Sequence, residues 1–126
     1  HHVVTRRQRQ MCIRDSPDID ICLSHAGGTM TSLIGRFNRA CTKRPWVPEH
    51  LQYEGAFEES LQKLWFDTHV HDPRVLNWVI DIIGTNKLLL GTNFAGWDQH
   101  AMTQDIPADL AVTMADNAKR LLRVNP

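Results

Sequence analysis

Three short apolar runs, each closing on small or polar residues and each followed by residues at helical spacing, restrict this chain to an α/β fold built on a parallel sheet. The first run, Ile19-Asp20-Ile21-Cys22-Leu23-Ser24, stops at His25-Ala26-Gly27-Gly28, where glycine lets the backbone turn sharply. Beyond it Met30, Leu33, Ile34, Phe37 and Cys41 recur at three- and four-residue intervals and predict a helix over 29–44, which Pro45 and Pro48 end. A short helical turn is expected over 57–61. The second run, Leu64-Trp65-Phe66-Asp67, leads through Thr68-His69-Val70-His71 to Asp72-Pro73, an N-cap with proline at the first helical position. Val75, Leu76, Val79, Ile80 and Ile83 then form one apolar face, and Gly84 sits where a helix ends. The third run, Lys87-Leu88-Leu89-Leu90, closes at Gly91-Thr92-Asn93, and a last helix is expected over 107–123.

Composition narrows the class of protein. With 42% hydrophobic and 22% charged residues, the chain is an ordinary folded domain rather than a disordered one. It lacks the roughly 18-residue apolar run of a membrane-spanning helix, and no secretory signal opens it, so a cytoplasmic location is expected. Cys12, Cys22 and Cys41 are odd in number and show no Cys-x-x-Cys spacing, which favours reduced thiols over a disulfide framework. Zero net charge conceals a basic start: Arg6, Arg7, Arg9 and Arg14 face one acid in residues 1–16. No aromatic interleaving or second basic cluster accompanies them, so no nucleic-acid partner is expected. Residues 1–16 show neither helical nor strand periodicity and are set apart as a non-native or disordered segment, leaving 17–126 as the folded part.

In parallel β/α folds the reactive groups collect at the C-terminal ends of the strands, where loops vary without disturbing the core. His25, the segment from Asp67 to His71, and Asn93 occupy those ends. His25 and Asn93 are therefore expected to terminate neighbouring parallel strands on one shared rim.

Ser24-His25-Ala26-Gly27-Gly28, Ile34-Gly35-Arg36, Val70-His71-Asp72-Pro73, Asp81-Ile82-Ile83-Gly84 and Leu89-Leu90-Gly91-Thr92-Asn93-Phe94 resemble, in order and spacing, the landmarks of the aminocarboxymuconate-semialdehyde decarboxylase family. That family is part of the amidohydrolase superfamily. The resemblance implies the C-terminal half of a TIM (β/α)8 barrel, about three β/α units corresponding to strands 6 to 8. A whole barrel takes about 250 residues, and three units alone cannot close its sheet. It implies a zinc or other divalent-metal enzyme whose substrate is a small unsaturated or aromatic carboxylate. His25 would activate the metal-bound water or shuttle a proton, a task suited to an imidazole that titrates near neutrality. The alternative for His25 is a strand-capping role. Arg36 would hold a substrate carboxylate across the subunit interface of a homodimer, in the bidentate geometry that guanidinium offers. A solvated helix flank is the alternative for Arg36. Trp97, in the loop after the third run, has a place at a pocket mouth.

Asn93 departs from the resemblance. The family has a zinc-binding aspartate there, whereas asparagine offers a neutral oxygen and no base, so metal affinity or chemistry is expected to weaken. Asp98, five residues on across a glycine-containing loop, is one source of a replacement charge; a divergent subgroup with altered chemistry is another reading. His69-x-His71 copies the His-x-His that opens an amidohydrolase barrel, and alternate strand residues do share a face. Position opposes a metal role, because Gly91 follows only 20 residues after His71. Alignment with the seventh strand makes these histidines loop-orienting or substrate-contacting groups instead. His1, His2, His50 and His100 are read as surface residues, and Trp46, Trp65 and Trp78 as packing. The expected activity of the complete parent is decarboxylation, with lactone or amide hydrolysis, or a non-catalytic module that has lost its metal, as alternatives. The 126-residue chain alone is expected to be inactive and to retain no metal.

Overall fold

A computed structural model describes residues 19–98 and 106–124. The expected segment 1–16 lies outside the described residues, as do Cys12, His1, His2 and His100. Three parallel strands form one sheet in the order β1 (Cys22–Leu23), β2 (Trp65–Asp67), β3 (Leu88–Leu89). Cys22 pairs with Trp65 and Leu23 with Phe66, while Phe66 and Asp67 pair with Leu88 and Leu89. The α/β class and the parallel sheet are those expected. The strands pair over shorter spans than the apolar runs: Leu64 lies in a bend and Lys87 in a turn before their strands begin.

Helices α1 (Thr29–Ser32) and α2 (Ile34–Lys43) follow β1. The single helix expected over 29–44 is broken at Leu33, whose φ of −111° and ψ of 20° leave the helical region. Helix α3 (Ala56–Leu61) occupies the connection to β2 and packs on α2, with Phe37 and Phe57 rings 4.6 Å apart. Helix α4 (Pro73–Ile83) begins and ends where its signals lie: Asp72 accepts the Arg74 N–H, and the Gly84 N–H reaches the Ile80 carbonyl. Helix α5 (Ala108–Leu122) follows β3.

The core comprises Leu61, Phe66, Leu76, Leu88 and Met114, with Leu23, Ile34, Val70, Ile80 and Leu110 packed around it. Phe66 on the central strand and Leu88 beside it are essentially buried, as burial of the largest apolar areas requires. A polar side chain from α5 enters this layer. Asn117 on α5 donates to the carbonyls of Thr85 at 2.7 Å and Leu88 at 2.8 Å, fixing α5 against the approach to β3 and satisfying carbonyls that packing removes from water. Among the described residues, no helix is long and apolar enough to cross a membrane.

Candidate active site at the strand ends

The C-terminal ends of the three strands are stapled together by two side chains. Asp67, the last residue of β2, accepts backbone N–H groups from Ala26 at 3.2 Å and His69 at 3.1 Å through the same oxygen. Thr68, fully buried, accepts the Gly91 N–H at 3.1 Å through its hydroxyl. The loops after β1 and β3 are thereby each tied to the end of β2. Gly91 permits this closeness, since a Cβ there would stand 2.9 Å from the Asp67 Cβ and 3.2 Å from that of His69. Sequence reasoning missed both staples. Their signal is local: a small acid and a hydroxyl following an apolar run, where exposed strand ends need partners.

Unusual backbone gathers at the same rim. His25, Ala26, His71, Asn93 and Ala95 all have left-handed φ values, between 47° and 62°. Such conformations cost free energy in non-glycine residues and concentrate at functional sites. The turn after β3 is closed by the Gly96 N–H donating to the Asn93 carbonyl at 2.8 Å. It folds the chain back so that Asp98 comes over the end of β2.

His69 Nε2 lies 3.0 Å and His71 Nε2 3.4 Å from the same Asp98 oxygen, Oδ2. The other oxygen, Oδ1, accepts the side-chain amide of Asn93. One nitrogen of His69, one of His71 and one Asp98 oxygen all fall within 4.8 Å of one another. The Asp98 carboxyl is held down to about 2, first by the hydrogen bond from His69, against opposing burial, and then by Asn93 and His71. It is a carboxylate at neutral pH. His69 is 3% exposed, and its Nδ1 is buried with no hydrogen-bond partner among the described residues. A buried ring nitrogen without a partner is uncommon.

The expected site residues divide. His25 is exposed on the β1 loop with its ring 5.4 Å from that of His69, centroid to centroid. Asn93 is exposed at the end of β3, joined to His69 through Asp98. The two thus share a rim, but β2 separates their strands, so they are not on neighbouring strands as expected. The connection runs His25, His69, Asp98, Asn93. Arg36 lies exposed on α2, in a shallow cleft with Arg39, Ala40, Lys43 and Arg44. Among the described residues no hydrogen bond or ion pair joins it to the rim. Trp97 is 96% exposed, beside Asp98 in the loop. Cys22 is a poor nucleophile, its thiol pushed up by burial and then by Asp67.

Fold and rim together define a parallel β/α protein with its polar, strained loops collected at one end of the sheet, the placement typical of enzymes of this architecture. The family model described as amidohydrolase matches residues 5–126, and the chain belongs to that family. It is 30% identical over 78 residues to a 2-amino-3-carboxymuconate-6-semialdehyde decarboxylase of Dictyostelium discoideum, a match covering 62% of this chain and 21% of that protein. The protein of the same name from Caenorhabditis elegans is 29% identical over 82 residues, covering 62% and 19%. The chain spans about a fifth of the length of these relatives. The fold is also similar to 5-carboxyvanillate decarboxylase LigW from Sphingomonas paucimobilis, with a TM-score of 0.69 at 19% identity, over 90% of this chain and 36% of that one.

Proposed function

We propose that this chain forms strands 6 to 8 of a (β/α)8 barrel, the C-terminal half, and belongs to a metal-dependent decarboxylase of a small unsaturated or aromatic carboxylic acid. The observation that carries the reading is the convergence at one rim of His25, His69, His71 and Asp98 on a family background whose named relatives are decarboxylases. Three parallel strands with two outer edges, in a chain matching part of each relative, support the partial barrel.

In this reading His25 delivers a proton to the carbon that loses carbon dioxide. The carbon–carbon bond breaks, its electron pair stays on the substrate, and the proton fills the vacated position. The exposed ring at the sheet end is accessible to substrate, and an imidazole exchanges protons near neutral pH. Arg36 binds the substrate carboxylate of a partner subunit in a homodimer, which accords with its exposed position away from its own rim. Trp97 covers the pocket mouth.

Zinc is the proposed metal of the complete protein. The position aligned with the family's carboxylate ligand does not fit it in this chain: Asn93 is neutral and turns its amide N–H toward Asp98. We propose that the chain alone is inactive, since three parallel strands do not close a barrel.

Incubating the complete protein with a panel of small aromatic and unsaturated carboxylates tests the reading by release of carbon dioxide. Release from at least one, lost in His25→Ala, is expected. Lactone or amide turnover without carbon dioxide would contradict it and favour hydrolysis.

A further inference from the structure

We propose that His69, His71 and Asp98 form a divalent transition-metal site of the zinc class, displaced from the Asn93 position to the end of β2. The proposal deepens the metal-dependent reading above and rests on the family assignment only for its context; the geometry stands on its own. Two imidazole nitrogens and a carboxylate oxygen are the donor set of open catalytic zinc sites, which leave a fourth position for solvent or substrate. Donors at zinc–nitrogen and zinc–oxygen distances of about 2.0–2.1 Å in a tetrahedron stand roughly 3.3 Å apart. The separations of 3.0 Å from Asp98 to His69 and 3.4 Å from Asp98 to His71 bracket that spacing before any ion is added.

The surrounding residues hold the donors in place. Asn93 occupies Oδ1 of Asp98 with its amide and leaves Oδ2 directed at both imidazoles. His69 is fixed by burial and by its own N–H on Asp67. The left-handed backbone at His71 turns its ring back toward His69, with centroids 4.4 Å apart and planes at 71°. Two neutral imidazoles and one carboxylate leave a divalent ion with a net positive charge. Its open position therefore suits an anionic ligand such as a carboxylate. The single residue that makes this possible is Asp98, which supplies the negative charge that Asn93 lacks.

Cobalt(II) serves as the probe because it takes zinc's donors and absorbs visible light according to their number and geometry. Titrated into the 126-residue chain, contrary to the sequence expectation that this chain retains no metal, it is expected to bind one equivalent with the intense visible bands of a four- or five-coordinate site, abolished by excess zinc. His71→Ala and Asp98→Asn are each expected to weaken binding at least tenfold, while His50→Ala, on an exposed turn, leaves it unchanged. Far-ultraviolet circular dichroism of each variant verifies the fold. A second measurement needs no variant: substoichiometric cobalt should shift or broaden the ring protons of His69 and His71 before those of His50. Binding that is absent, or equal in Asp98→Asn and the parent sequence, overturns the proposal. Carbon dioxide release by the complete protein is a separate readout, so loss of the decarboxylase reading and loss of this site are distinguishable.

Discussion

The ends of β1 and β2 carry histidines of opposite kind. His25, at the end of β1, is exposed on left-handed backbone, with the His69 ring 5.4 Å from its own. His69, at the end of β2, is buried, bonded through its backbone to Asp67 and through its ring to Asp98. An exposed imidazole is free to reach substrate and exchange a proton; a buried, anchored one is suited to hold something still. In the proposed reading the central strand supplies the anchored histidine and the outer strand the exposed one.

Breaking the platform under both histidines should have the largest effect. Phe66 is 1% exposed on β2, and its ring lies so near Gly27 that a Cβ there would come within 2.9 Å of it. Phe66→Ala is expected to cost about 3–5 kcal/mol in urea unfolding, through lost burial and the cavity left behind. Gly91→Ala sharpens the contrast, because the nearest atoms its Cβ would press on belong to Asp67 and His69. Overpacking of about 1–3 kcal/mol is expected, with the ring resonances of His69 moving further than those of His25.

Asn93→Asp places a second carboxylate beside Asp98 and is expected to tighten zinc retention in the complete protein by on the order of tenfold. Dialysis against a graded chelator measures it, and unchanged retention would exclude Asn93 from the metal's surroundings. The smallest effect belongs to Asp72, the cap of α4. Asp72→Ala removes the acceptor for the Arg74 N–H and should lower the melting temperature by a few degrees, about 4 °C. Asp72→Asn, which keeps a capping oxygen, should lower it less, and neither should alter the cobalt spectrum.

Much of the fold was legible because it is encoded locally. Asp72-Pro73 and Gly84 bound α4 at the residues that carry the signals, and the apolar runs coincide with the three parallel strands. The kink at Leu33 was not legible, since the apolar spacing continues unbroken across it while the backbone does not. At the site, the sequence order brought His25, the Asp67 to His71 segment and Asn93 to strand ends, because strand ends are a local property. The pairing of Asp98 with His69 spans 29 residues and depends on the turn closed by Asn93 and Gly96. Alternation of His69 and His71, read as a strand, hinted at a common face, yet position in the chain argued the other way. Only the path of the β3 loop, which no periodicity records, decides between them. Arg36 and Trp97 remain where helical and loop patterns put them, outside the hydrogen-bonded cluster.

The most direct test is the anomalous-scattering map of a crystal of this chain soaked in zinc. The account predicts one strong peak about 2.0–2.2 Å from a ring nitrogen of His69, a ring nitrogen of His71 and an oxygen of Asp98. A peak seated instead on Asn93 and His25, or no peak at the rim, would contradict it.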